Sequence, residues 1–170
     1  MSSFLRFFLD RWRFFALLAS AAMLAIAHAF ETFGHLAPCE LCLKQRGVYW
    51  AAIGVAAVAM VVVRLPGGPR WRELSCWLLA LVFLASAGAA GYHAGVEWKF
   101  WPGPQSCTGV GSVSVADLQA MLNGAGVKGP RCDQPAWIFL GVSMAGWNAV
   151  ASVILTAFSV AAARRERAKA

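Results

Sequence analysis

The sequence predicts an all-α membrane protein: a four-transmembrane-helix bundle with two outer loops, the second carrying a short amphipathic surface helix. Three observations lead there. Hydrophobic residues make up 59% of the 170 residues and charged residues only 14%, against about 45–50% and about 25% in an average soluble domain. Four apolar stretches approach the ~20 residues that a helix needs to cross a bilayer. Lys and Arg are gathered in short runs beside those stretches, on alternate sides of them. The net charge of +7 would suit nucleic acid, but these runs form no single polar face. They report topology, and no nucleic-acid partner is expected. The length leaves room for one domain, residues 1–170.

The spans fall at about residues 14–33, 47–63, 74–92 and 145–163. Backbone polar groups cannot be left unpaired in hydrocarbon, so each is expected to be a helix. Arg6, Arg11 and Arg13 before the first span give it the look of a signal peptide. Its apolar run is too long for that and more spans follow, so it is read as a retained helix. The second span is short and must stand nearly upright. Pro66, Gly67, Gly68 and Pro69 make a tight turn between spans two and three. Ten of the 15 Lys and Arg residues lie at the N-terminus, in the 64–73 loop and in the C-terminal tail. That excess places both termini in the cytoplasm and loops 34–46 and 93–144 outside.

The long outer loop has Trp98, Phe100, Trp101 and Trp137 near its ends, where an interfacial aromatic belt is expected. Within it, Ser114 and Asp117 open a helical pattern that sets Leu118, Met121 and Leu122 on one face, with Gly124 as a stop. Two readings compete: a surface helix that tethers the loop to the membrane, and a plain solvated turn of helix.

Five cysteines carry the chemistry. Cys39 and Cys42 form a Cys-x-x-Cys pair in the first outer loop, and Cys107 and Cys132 lie in the second. Cys76, at the inner start of the third span, reads as a small buried hydrophobe. Disulfides persist on the outer side. A Cys-x-x-Cys ring opens and closes with little rearrangement, and its thiolate often has a lowered pKa. Lys44 and Arg46 favour that thiolate, while Glu40 opposes it. A structural zinc site would need four thiolates or a Cys/His mixture; the four outer cysteines could supply it, but the second pair is not Cys-x-x-Cys and the compartment is oxidising. A c-type haem would need histidine at position 43, which is Leu43. Inert staples are the main rival. A staple across Cys39 and Cys42 would constrain almost none of the unfolded chain, whereas one in the long loop would constrain much. That asymmetry favours thiol exchange through mixed disulfides. A dithiol at a membrane surface also has a lipid-soluble electron acceptor within reach, a quinone.

The string Pro38-Cys39-Glu40-Leu41-Cys42-Leu43-Lys44-Gln45-Arg46 before the second span resembles the disulfide bond formation protein B (DsbB) family. So do the four-span layout, the later Cys107 and Cys132, the segment from Gly91-Tyr92-His93 to Trp101-Pro102-Gly103-Pro104, and Phe139-Leu140-Gly141 with Met144 and Trp147. The resemblance covers residues 14–163. It implies a bacterial inner-membrane enzyme that passes electrons from a soluble, thioredoxin-fold, DsbA-like dithiol oxidase to ubiquinone or menaquinone. It further implies that a Cys107–Cys132 disulfide is attacked at Cys107. Cys132 then bonds Cys39, and Cys42 faces the quinone. Arg46, His93 and Met144 would form the quinone site.

Blander readings stand beside these. Arg46 alone suits a snorkelling interface arginine, His93 an interfacial anchor and Met144 packing. His28 and Glu97 have no assigned role. The Gly-rich second loop departs from the best-known family members and leaves the partner open. The competing function is a non-catalytic scaffold with stapled outer loops. A relative working in reverse, reducing an outer disulfide or a quinone-like vitamin, is a third.

Overall fold

The structure is a computed structural model that describes residues 3–104, 119, 122, 123 and 131–169. Its elements are α1 (Ser3–Asp10), α2 (Trp12–Thr32), α3 (Glu40–Val62), α4 (Gly68–Glu97), β1 (Ile138–Phe139), β2 (Val142–Ser143) and α5 (Met144–Arg167). Among the described residues, helices α2 to α5 are the four long and apolar enough to cross a membrane, as the composition predicts.

Small residues let these helices approach closely. Ala16, Ala52, Ala56, Ala162 and Ala163 are fully buried along their contacts, with Leu79 and Phe83 filling the wider gaps. Large side chains such as Trp50, Val58, Leu81 and Val153 point outward, where lipid is the solvent. No buried side-chain nitrogen or oxygen among the described residues lacks a hydrogen-bond partner.

Local chemistry sets the helix ends. Gly67 adopts φ 87°, a left-handed conformation that favours glycine, and Pro69 follows in the first turn of α4. The tight turn expected there is present. Helix α3 begins at Glu40 rather than near 47, so Cys42 and Arg46 lie on the helix and not in the loop. Hydropathy misses this turn because residues 40–46 are largely polar. The turn is held instead by a cap at Cys39 and a 2.7 Å Glu40–Lys44 ion pair four residues apart. Helix α4 likewise runs on to Glu97.

Two elements are additions to the sequence reading. Helix α1 packs Phe8 against Trp12, Phe15 and Phe158, with ring centroids 4.5–5.3 Å apart. Asp10 at its end bonds Arg165 at 2.6 Å and Lys169 at 2.5 Å, so the two ends of the chain meet. Strands β1 and β2 form a hairpin whose turn residues, Leu140 (φ 50°) and Gly141 (φ 77°), both take the left-handed conformation of a tight two-residue turn.

Of the expected surface helix, Gln119, Leu122 and Asn123 are described. The Asn123 N–H donates to the Gln119 carbonyl at 3.1 Å, and Leu122 is exposed. Ser114, Asp117, Leu118, Met121 and Gly124 lie outside the described residues.

Candidate functional site

The site gathers at one end of the bundle, around the first turn of α3. Cys39 is the N-cap, with extended backbone, and its Sγ accepts the backbone N–H of Cys42 at 3.3 Å. Sulfur here takes the place of the oxygen of a capping serine. The same turn brings the two thiols to 2.9 Å, and both are free. The positive end of a helix also favours a thiolate.

The two sulfurs are not equivalent. Cys39 is 4% exposed, whereas Cys42 is only half-buried. The Cys42 sulfur beside it, together with burial, pushes the Cys39 thiol well above the usual cysteine range. Of the two, Cys39 is therefore the thiol that keeps its proton when the pair has lost one.

Behind Cys39 stands His93 of α4, its Nε2 3.7 Å from the Cys39 Sγ. Gln45 Nε2 lies 2.8 Å from the other ring nitrogen, and Glu97 Oε1 is 3.8 Å from Nε2. Glu97 in turn accepts a hydrogen bond from Ser143, the N-cap of α5. Cys132 is disulfide-bonded, fully buried, and packed in one cluster with Cys39, Leu41 and Val96. Its backbone also reaches His93. Cys107 lies outside the described residues.

On the open side, Arg46 sits one turn along α3 from Cys42. Its Nη1 bonds Glu31 of α2 at 2.5 Å, and its Nη2 donates to the Ala27 carbonyl at 3.0 Å. Met144 opens α5, half-buried at the same end of the bundle. His93 is 3% exposed and turned to Cys39 and Gln45, so it stands on the buried side of the pair. Cys76 is a free thiol with no exposure, at the opposite end of α4, with Arg13 Nη1 3.6 Å from its sulfur.

The residues after Cys132 are clamped. Asp133 bonds Arg131 at 3.0 Å and Lys99 at 2.9 Å, and those two cations hold its carboxyl well below the usual range. Trp101 covers Gly95 where a Cβ would collide with its ring, and donates to the Tyr92 carbonyl at 3.0 Å. Phe30, Trp137, Phe139 and Trp147 form an aromatic row, with centroids 5.1–6.4 Å apart.

Cys39, Cys42 and His93 place their ligand atoms within 4.8 Å of one another, a soft donor trio. The four-cysteine zinc alternative is not formed, because Cys132 is in a disulfide. Sequence reasoning missed Glu31, Gln45, Tyr49 and Asn148. For Glu31, Tyr49 and Asn148 a signal was available, since a polar residue inside an apolar span is expensive and seeks a partner, although it does not name that partner.

A capped, unequal thiol pair against the buried, disulfide-bonded Cys132, on four apolar helices, defines a multi-pass membrane thiol oxidoreductase. A family model described as Disulfide bond formation protein DsbB matches residues 10–162. The disulfide bond formation protein B of Methylococcus capsulatus is 33% identical over 156 residues, 84% of this chain and 87% of its own. That of Marinobacter nauticus is 32% identical over 150 residues, 83% of this chain and 84% of its own. No solved structure matches significantly. The chain belongs to the DsbB family.

Proposed function

We propose that the chain reoxidises a soluble, thioredoxin-fold, DsbA-like dithiol oxidase on the periplasmic side of the inner membrane and delivers two electrons to ubiquinone or menaquinone. The observation that carries this reading is the inequality of the thiol pair. Cys39 is buried against His93 and in the cluster that holds Cys132, whereas Cys42 is half-exposed on the helix face it shares with Arg46.

The exchange starts from oxidised Cys107–Cys132 and Cys39–Cys42 pairs. The partner's thiolate attacks Cys107 and frees the Cys132 thiolate. Cys132 attacks Cys39 across their shared cluster, and the Cys42 thiolate leaves. The partner's second thiolate releases the partner as a disulfide and frees Cys107. Cys107 then attacks Cys132, the long-loop disulfide re-forms, and Cys39 leaves as a thiolate. Each exchange moves one electron pair between sulfurs. The chain is left as a Cys39, Cys42 dithiol, whose reoxidation gives up two electrons and two protons.

A quinone accepts that pair of electrons and both protons. The residues suit one. Leu43 and Trp50 are exposed and apolar beside the Cys42 face, so a lipid-tailed ring can approach from hydrocarbon. Arg46 has five N–H donors, of which the Glu31 and Ala27 contacts occupy two; the rest can meet a carbonyl oxygen. Met144 would pack on the ring, and His93 would support the pair from its buried side. Exposed Leu122 anchors the long loop to the membrane surface. The test is turnover: purified protein with quinone should oxidise a reduced dithiol partner catalytically. A scaffold with stapled loops would give none.

A further inference from the structure

Three buried polar residues that this reading does not use lie in a single hydrogen-bonded chain ending at His93. Tyr49 OH donates to Asn148 Oδ1 at 2.5 Å, and Asn148 Nδ2 donates to Gln45 Oε1 at 2.5 Å. Gln45 Nε2 lies 2.8 Å from His93 Nδ1. Behind Tyr49, Ser152 and Ser86 follow at 3.1 and 2.9 Å. None of Gln45, Tyr49 and Asn148 is more than 9% exposed. The chain crosses from α5 to α3 and on to α4, inside the bundle.

An amide has a direction: its NH2 only donates and its oxygen only accepts. With Tyr49 donating to Asn148, each link sets the next, and Gln45 offers an N–H to His93 Nδ1. That nitrogen must then accept, so the proton of the neutral ring sits on Nε2. The surroundings of Nε2 argue the same way independently. It faces the Cys39 sulfur at 3.7 Å and the Glu97 carboxylate at 3.8 Å, both acceptors in their ionised forms, and the Cys132 backbone is a further acceptor for the ring.

We propose that Gln45, Asn148 and Tyr49 are positioning residues that lock His93 in its Nε2–H tautomer, so that His93 donates to Cys39 when that sulfur leaves the inter-loop disulfide. The proposal rests on the functional reading above. In the step concerned, the Cys107 thiolate forms a bond to Cys132, the Cys132–Cys39 bond breaks, and the electron pair leaves on Cys39. A leaving thiolate departs faster the more it is stabilised. Cys39 needs the help, because its buried thiol is otherwise the harder of the pair to ionise. The Cys42 N–H is its second donor, at 3.3 Å. Among the described residues, the titratable groups around the ring are Cys39 and Cys42 of α3 and Glu97 of α4. Helix α5 presents only amides and hydroxyls.

The chain has three histidines, His28, His35 and His93. A His28→Gln, His35→Gln protein, labelled with nitrogen-15 and reconstituted in vesicles, isolates the His93 ring in the NMR spectrum. The expected spectrum is the neutral Nε2–H tautomer. Gln45→Glu, which turns an acceptor toward Nδ1, should move a proton onto Nδ1. It should also slow loss of the Cys132–Cys39 bond about tenfold, the scale of one hydrogen bond to a charged group. That loss is followed by acid quench and peptide mapping in a single turnover. Tyr49→Phe, the second variant, should give a mixture of tautomers. An Nδ1–H tautomer in the parent protein, or one unmoved by both variants, overturns the lock. A moved tautomer with an unchanged exchange rate overturns its role in releasing Cys39. A parent protein with the expected tautomer but no turnover of any dithiol partner overturns the functional reading instead.

Discussion

One sulfur of the pair is a helix cap facing protein, and the other is a helix residue facing outward. That difference comes from three residues of spacing at a helix start, since the cap is buried by α4 while the first turn swings Cys42 to the side of Arg46. Two predictions belong at this scale. Arg46→Ala removes a charged donor beside Cys42, and a hydrogen bond to a charged group is worth about 1.5–3 kcal/mol. The apparent KM for quinone should rise about tenfold or more, with the rate of partner attack on the long loop little changed; quinone kinetics like those of the parent would count against the site. Cys76→Ser should retain full turnover, because the thiol is buried at the far end of α4. The cysteines were legible because their chemistry and sidedness are properties of residue type and topology. The roles of Gln45, Tyr49 and Asn148 were not, because the partner of each lies on another helix and Gln45 is one polar residue among several before the apolar run.

At the scale of elements, the spans were legible from hydropathy and their ends were not. Apolar length reports where lipid begins, whereas α3 starts where Cys39 caps it, beyond the apolar run. The 138–143 hairpin falls inside the 93–144 loop, and its two-residue strands are too short to show an alternating pattern. The clamp of Lys99 and Arg131 on Asp133 fixes the segment that carries Cys132. Its pH dependence follows from sign. The folded carboxyl lies below its unfolded value of about 3.9, so its stabilisation is complete above that value and is lost as pH falls through the lower folded pKa. Inter-loop exchange should therefore show no loss from this clamp between neutral pH and about pH 4. Asp133→Asn should slow the Cys132 attack on Cys39 while sparing attack at Cys107, seen as a longer-lived partner adduct in quenched samples. An adduct lifetime equal to the parent's would remove the clamp from the account.

For the whole molecule, four spans place both chain ends on one face, and Asp10 joins them through Arg165 and Lys169. The Lys and Arg excess predicts that this face is the cytoplasmic one. A reporter active only in the cytoplasm, fused after Ala170, should be active, and activity of a periplasm-only reporter there would reverse the topology and the site with it. The central claim is the order of stations: a long-loop disulfide that meets the partner at Cys107, and a membrane-side pair that meets the acceptor. The most direct measurement uses the native chain, with both pairs oxidised, and a thioredoxin-fold partner whose second cysteine is replaced by serine. That partner attacks once and cannot be released. Non-reducing peptide mapping should find it bonded to Cys107, with Cys132 bonded to Cys39 in the same molecules. A partner bonded mainly to Cys39 or Cys42 would contradict the account.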